Sequence, residues 1–114
     1  MADSSDETVL GRLAITIHQR RSAAPGSSYT RDLLDSGIER CARKFAEEAI
    51  ETVIAATSQS DERLVNEAAD VLYHLLIVLE ARNLALADVE AVLLGRMAQS
   101  GHAEKAARSG KAAP

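Results

Sequence analysis

Apolar residues recur at intervals of three and four along nearly the whole chain, which is the spacing of one helix face. A first stripe of this kind predicts a helix from about Asp6 to about Arg21, with Ser4 and Glu7 as its capping box. The segment 23–28 reads Ala-Ala-Pro-Gly-Ser-Ser, a composition typical of a loop. The pattern indicates a helical protein and gives no support to an all-β fold.

Four further helices are expected after this loop. Thr30 is predicted to cap a short helix, and Gly37 is predicted to end it. Two long helices should cover about 38–57 and 60–82, separated by a Ser-Gln-Ser break. A last helix is expected at about 86–99, weakened by a glycine in its interior and closed by another soon after it.

The two long helices differ in their surroundings. The helix at 38–57 has one apolar and one charged face, whereas apolar side chains surround the axis of the next helix from Ala68 to Leu79. Such a helix needs cover on all sides, and one chain of this length has few helices to provide it. We therefore expect an all-α, antiparallel helical bundle completed by dimerisation, with 1–114 as one domain and 102–114 as a flexible tail.

Composition narrows the classes of protein that fit. The 114 residues are 46% apolar and 26% charged, with a net charge of −4, which is unlike a nucleic-acid coat or a basic membrane-binding surface. The longest stretch without an ionisable group other than histidine and tyrosine, Val71–Leu79, is too short to span a bilayer. The N-terminus has no visible secretory signal, and the single cysteine, Cys41, fits a reducing compartment. A cytoplasmic location is expected.

Carboxylates in the two long helices need an explanation. Glu67 and Asp70 lie three residues apart, on one face of the most apolar helix, where unpaired charges are costly. Glu48 and Glu51 have the same spacing on the preceding helix. Because a short break joins the helices, they should pack antiparallel, which brings Glu51 near Glu67 and Glu48 near Asp70. The sequence therefore predicts four converging carboxylates.

Four carboxylate ligands favour a hard divalent cation, Mg²⁺ or Mn²⁺, and such sites suit displacement at phosphorus by water. When the Glu-Glu-x-x-Glu stretch is considered by itself, the opposing interpretation of a solvated helix face stays open. From spacing alone, Lys44 is either a solvated partner of Glu47 or Glu48 or a phosphate ligand. His74 is interpreted as a hydrogen-bonded core histidine, and Cys41 as a small apolar core residue.

Several stretches together resemble one family. Glu-Glu-x-x-Glu at 47–51, fifteen residues, and then Glu-x-x-Asp at 67–70 resemble the metal motif of the all-α, MazG-like nucleotide pyrophosphatases. Ser-Tyr-Thr at 28–30, Lys-Phe-Ala-Glu-Glu-Ala at 44–49 and the stretch at 100–108 make the chain most similar to the phosphoribosyl-ATP pyrophosphatase family. Alanine stands at 46, where this family usually has glycine, and at 85, where a serine would cap the last helix.

The resemblance implies an enzyme of histidine biosynthesis that uses Mg²⁺ to hydrolyse phosphoribosyl-ATP to phosphoribosyl-AMP and pyrophosphate. It implies a catalytic set with Glu47 as a fifth ligand or the base that orients water. The metal ligands would be Glu48, Glu51, Glu67 and Asp70. The implied substrate contacts are Ser28, Tyr29, Thr30, Lys44, Lys105 and Arg108.

Two alternatives compete with this prediction. A MazG-like enzyme that clears noncanonical nucleoside triphosphates would share the acids without the Ser-Tyr-Thr loop and the tail motif. A dimeric helical interaction module would have the acids as a charged groove, with no Mg²⁺-dependent activity. In each case the partners are small molecules or protein, with no nucleic acid and no membrane.

Overall fold

The computed structural model describes residues 8–99 and Arg108, and residues 8–99 hold helices and no strand. The prediction of an all-α fold is confirmed. The helices are α1 (Val9–Arg20), α2 (Tyr29–Asp35), α3 (Ile38–Ser58), α4 (Asp61–Ala81) and α5 (Leu86–Met97). The predicted tail at 102–114 lies outside the described residues except for Arg108, so its flexibility stays a prediction.

The first helix begins later than predicted. Thr8 has an extended backbone, with φ −92° and ψ 154°, and its hydroxyl accepts a hydrogen bond of 2.9 Å from the Gly11 amide. An extended residue at this position excludes a continuous helix from Asp6, so that boundary was wrong. Ser4 and Glu7, the predicted capping box, lie outside the described residues.

The cap of α2 was also assigned to the wrong residue. Ser28 is extended and its hydroxyl accepts from the Arg31 amide at 3.3 Å, whereas Thr30 lies inside the helix. The Thr30 hydroxyl is used differently, since it shares a hydrogen bond of 2.5 Å with the Tyr73 hydroxyl on α4. Gly37 follows the helix with φ 97°, a conformation that suits glycine, and its predicted role as the stop is confirmed.

The two long helices form an antiparallel hairpin, as predicted. Only Gln59 and Ser60 separate α3 from α4, and the Ser60 hydroxyl caps α4 by accepting from the Arg63 amide at 3.2 Å. The far end of α4 closes at Asn83, which has φ 59°. The Leu84 amide then donates to the Leu79 carbonyl at 2.8 Å, which makes this stop a Schellman motif.

The N-terminus of the last helix has only one of the two hydrogen bonds of a capping box. Ala85 has no side-chain oxygen to offer, but the Asp88 carboxylate accepts from the Ala85 amide at 2.8 Å. The helix ends at Met97, two residues before the predicted end at Gln99. None of its residues is buried within the chain.

The core lies at one end of the hairpin, where α1 and α2 cover the second half of α4. Its buried members come from four helices: Ile17, Leu33, Cys41, Leu76 and Ile77. Cys41 is fully buried, and its thiol donates to the Leu33 carbonyl at 3.3 Å, which confirms it as an apolar core residue. Burial raises the pKa of this thiol, so it is a poor nucleophile.

The other half of the hairpin keeps apolar side chains in solvent. Ile50 is 61% exposed and Val53 is 63% exposed on α3, and Leu72 is 42% exposed on α4. The expectation that α4 is covered on all sides is therefore not met within one chain. Among the helices of residues 8–99, none has the length and apolar character needed to cross a membrane.

Candidate active site

Carboxylates from both long helices converge near the middle of the hairpin. One carboxylate oxygen from each of Glu48, Glu67 and Asp70 lies within 4.8 Å of the other two. Glu48 comes from α3 and the other two from α4, where the three-residue spacing puts Glu67 and Asp70 on one face. We call these three residues the acid cluster.

Glu48 has the most strongly raised pKa in the acid cluster. It is partly buried, and its Oε2 atom is shielded from solvent without a hydrogen-bond partner among the described residues. Burial first, then Glu51, Asp70 and Glu67, raise the pKa of Glu48 to about 7. A buried oxygen without a donor is costly, which indicates that the site is built for a ligand that supplies positive charge.

Glu51 is the fourth predicted member, and it helps to raise the pKa of both Glu48 and Glu67. It lies exposed on α3, one turn after Glu48. The pKa of Glu67 is raised by its burial, and then by its interactions with Glu51. The predicted proximity of Glu51 to Glu67 agrees with this effect, although the 4.8 Å group itself does not include Glu51.

The raised pKa of Glu48 predicts how the metal-free protein responds to pH. The ordinary pKa of a glutamate is 4.5, and that of Glu48 in the folded state is about 7. At a pH between these two values, the folded state keeps a proton at Glu48 that the unfolded chain has released. This stabilising contribution is complete below the lower value and is lost as the pH rises through the upper one. In EDTA, wild-type stability should therefore fall relative to that of Glu48→Gln between about pH 5 and pH 8.

Thermal unfolding of the two proteins across this range measures the effect. The neutral glutamine keeps the shape of the side chain and removes its titration. Ionisable groups remote from the acid cluster contribute equally to both curves, so the difference reports Glu48 together with the acids coupled to it. If the melting temperatures of wild type and Glu48→Gln changed with pH in parallel, this result would contradict the raised pKa of Glu48.

Glu47 forms an ion pair outside the acid cluster, unlike its neighbour Glu48. Its carboxylate pairs with the Lys44 ammonium at 3.2 Å, and Glu47 is exposed. This pair raises the pKa of Lys44, chiefly through the hydrogen bond to Glu47. The structure therefore shows the solvated pairing that was one of two interpretations of Lys44. Roles as a water-orienting base and a phosphate contact stay predictions for Glu47 and Lys44.

The Ser-Tyr-Thr segment reaches α4 one turn beyond the acid cluster. Ser28 and Thr30 are buried and used by the fold, as helix cap and as partner of Tyr73 respectively. Tyr29 is 54% exposed, and its hydroxyl is 3.3 Å from His74 Nε2. Of the three predicted contacts, Tyr29 has the surface that a substrate could touch.

His74 is a hydrogen-bonded core histidine, as predicted. It is 5% exposed, and its Nδ1 atom donates to the Asp70 carbonyl at 2.8 Å. Its contact with Tyr29 has no signature in the sequence, because the two residues lie 45 positions apart. Of the two predicted tail contacts, Lys105 lies outside the described residues and Arg108 is exposed.

The donor set of the acid cluster selects the kind of cation that it could hold. All of its potential ligand atoms are carboxylate oxygens, which suit Mg²⁺ or Mn²⁺ and do not suit soft thiophilic metals. The unsatisfied Glu48 oxygen fits the same interpretation. The fold and the site define an all-α protein whose helical hairpin presents an acidic site suited to a divalent cation.

Comparison with known proteins identifies the family. Residues 10–96 match the family model described as phosphoribosyl-ATP pyrophosphohydrolase. This match spans well over half of the chain, and the chain belongs to that family.

Curated relatives agree over most of their length. Proteins named phosphoribosyl-ATP pyrophosphatase in Cereibacter sphaeroides and Ruegeria pomeroyi are 55% and 54% identical to the chain over 101 residues. Each alignment covers 89% of this chain and 98% or 96% of the relative. A Bradyrhizobium diazoefficiens protein named phosphoribosyl-ATP pyrophosphatase 1 is 53% identical, with 84% and 91% covered.

Proposed function

We propose that the chain hydrolyses phosphoribosyl-ATP to phosphoribosyl-AMP and pyrophosphate in histidine biosynthesis. It is a phosphoribosyl-ATP diphosphatase, a hydrolase that acts on a phosphoric anhydride bond. The family match and the names of relatives that are about half identical over nearly their full length support this function.

One structural observation carries the chemical part of the proposal. The acid cluster brings three carboxylates within 4.8 Å of one another, with one oxygen buried and unpaired. Three like charges at this separation repel strongly, and a divalent cation removes the repulsion. We assign Glu48, Glu51, Glu67 and Asp70 as the ligands of Mg²⁺, which Mn²⁺ could replace.

The chemistry that such a cation supplies is neutralisation of phosphate charge and acidification of a bound water. The chain's own task is to hold its ligands rigidly, and the paired helices α3 and α4 do this through their mutual packing. We assign Glu47 as a fifth ligand or as the group that orients water, because it directly precedes Glu48 on α3. Lys44 can exchange its exposed partner Glu47 for a phosphate oxygen, because an exposed ion pair is weak.

We also propose that the active protein is a homodimer in the cytoplasm. Ile50 and Val53 on α3 and Leu72 on α4 leave the hairpin with an apolar surface that a second copy could cover. The last helix, α5, also exposes apolar residues: Val92, Leu93, Leu94 and Met97. The single cysteine, Cys41, is free, which suits a reducing compartment.

Magnesium should stabilise the fold if the acid cluster is its site. At a hundredfold excess of Mg²⁺ over the dissociation constant, the gain in unfolding free energy would be about 2.7 kcal/mol. Asp70→Asn should lose this response, and its metal-free form should be as stable as wild type or more so, because one repelling charge is gone. Thermal unfolding with titrated Mg²⁺ measures both effects. A wild-type curve that saturating Mg²⁺ leaves unchanged would count against the site.

Removal of the tail should separate recognition from chemistry. Truncation after Gln99 removes Lys105 and Arg108 and leaves every residue of the acid cluster in place. If these cations hold the phosphoribosyl end, truncation should raise KM for phosphoribosyl-ATP and weaken discrimination against ATP. Steady-state kinetics of the full-length and truncated proteins test this. Identical constants on both substrates would remove Lys105 and Arg108 from the site.

A comparison of substrates tests the assigned reaction. The ratio of kcat/KM for phosphoribosyl-ATP to that for each of several noncanonical nucleoside triphosphates should strongly favour phosphoribosyl-ATP. Equal or reversed ratios would identify a MazG-like enzyme that clears such nucleotides. Absence of pyrophosphate release from every substrate, with a folded protein and Mg²⁺ present, would favour the non-catalytic interaction module.

A further inference from the structure

His74 is a buried polar side chain that the proposed chemistry does not use. It lies on α4 one turn after Asp70 and is enclosed by two aromatic rings. The Tyr73 ring meets it edge-on at 5.1 Å between centroids, and the Tyr29 ring does so at 6.2 Å. Both imidazole nitrogens nevertheless have polar partners, so His74 joins two parts of the molecule.

The partners of His74 decide which nitrogen carries the proton. Nδ1 is 2.8 Å from the backbone carbonyl of Asp70, and a carbonyl oxygen can only accept, so Nδ1 is the donor. In the neutral ring, Nε2 is then an acceptor. The Tyr29 hydroxyl, 3.3 Å away, must therefore donate its proton to Nε2.

This arrangement fixes both the place and the polarity of the Tyr29 hydroxyl. Its proton is used by His74, so the phenol oxygen offers only lone pairs to another molecule. The Tyr29 ring stacks on Tyr73 with 6.4 Å between centroids and 21° between planes. The hydrogen bond between the Thr30 and Tyr73 hydroxyls fixes the residue that follows Tyr29. The exposed part of Tyr29 borders a cleft of about 250 Å³ that Arg40 also lines.

We propose that His74 is a positioning residue that acts through Tyr29. It holds the phenol oxygen as a hydrogen-bond acceptor for a donor group of the nucleotide substrate. His74 itself lies on α4, one helical turn after Asp70 of the acid cluster. The inference rests on the proposed function, since it requires a nucleotide bound beside that cluster.

A double-mutant cycle tests whether His74 works through the Tyr29 hydroxyl. Tyr29→Phe removes the hydroxyl. His74→Asn places an amide N–H near the position of Nδ1 and can keep the bond to Asp70, but it cannot reach Tyr29. Each change should raise KM for phosphoribosyl-ATP about fivefold, the size of one hydrogen bond, with a smaller effect on kcat. The double variant should be no worse than Tyr29→Phe alone.

A conservative replacement supplies a second readout. The His74→Gln amide can reach the position of Nε2, so it should restore much of the wild-type KM in the presence of Tyr29 and have no effect in the Tyr29→Phe background. If His74 had only a structural role, its replacement would lower the melting temperature and would raise KM by the same factor with Tyr29 and with Tyr29→Phe.

Three outcomes would overturn the inference. Effects of Tyr29→Phe and His74→Asn that multiply would show that the residues act independently. A wild-type KM for Tyr29→Phe would do so even if the His74 variants failed to fold. A wild-type protein without activity on phosphoribosyl-ATP would contradict both the proposed function and this inference. An active wild type in which the two fold-changes in KM multiply would contradict the inference alone.

Discussion

Asp70→Asn should lower turnover on phosphoribosyl-ATP by about a hundredfold or more, even at saturating substrate. Asp70 supplies one of the three oxygens that lie within 4.8 Å of one another, and asparagine keeps its shape while removing the charge. Charge on the reacting phosphates grows toward the transition state, so the loss should fall on kcat more than on KM.

Asp61→Asn is the matched control for this experiment. It makes the same chemical change on the same helix, in the exposed first turn and outside the acid cluster. It should retain near wild-type turnover and lose at most a few tenths of a kcal/mol in stability, from the weaker interaction with the helix dipole. Near wild-type turnover in Asp70→Asn would contradict the assignment of the cluster.

Val53→Asp should dissociate the protein into monomers or unfold it. Val53 is 63% exposed within one chain, so an aspartate there would cost almost nothing in an isolated monomer. In the proposed dimer the same aspartate would be buried without a partner, which typically costs about 3–5 kcal/mol. This cost is a large fraction of the roughly 5–15 kcal/mol by which a folded domain is stable.

Two other variants separate the interface from the core. Leu76 is buried within its own chain, so Leu76→Asp should unfold the protein whatever its oligomeric state. Val53→Ala removes contact area without adding a charge and should weaken the dimer only modestly. Light scattering measures the mass of each, and a folded wild-type monomer near 12.2 kDa would contradict the dimer.

The sequence predicted the helices well because local signals coincided at most of their ends. Ser60 precedes a helix that starts with two acids, and Asn83 can adopt the left-handed conformation, so α4 was placed within one residue at each end. The N-terminal signals of α1 and α2 were ambiguous. Ser4 and Thr30 were the predicted caps, whereas the structure uses Thr8 and Ser28.

Convergence of the carboxylates was predictable because it depends only on helical geometry and a short turn. Spacing of three residues puts each pair on one face, and the two-residue connection sets their distances from the turn. Individual side-chain pairings were harder to predict. The preference of Glu47 for Lys44 depends on side-chain direction, and the bond between Tyr29 and His74 depends on how α2 packs on α4.

Cover for the apolar helix α4 was the weakest point of the sequence argument. Periodicity shows which residues avoid water and does not show what covers them. The chain buries Leu76 and Ile77 by itself and leaves Leu72 42% exposed, so α4 is covered only in its second half. The proposed second copy would cover the other half.

Pyrophosphate release from phosphoribosyl-ATP, with and without Mg²⁺, is the most direct test of the central claim. The account predicts stoichiometric pyrophosphate and phosphoribosyl-AMP in Mg²⁺, and loss of nearly all activity in EDTA that added Mg²⁺ restores. Equal rates with and without the metal, or products other than these two, would contradict it.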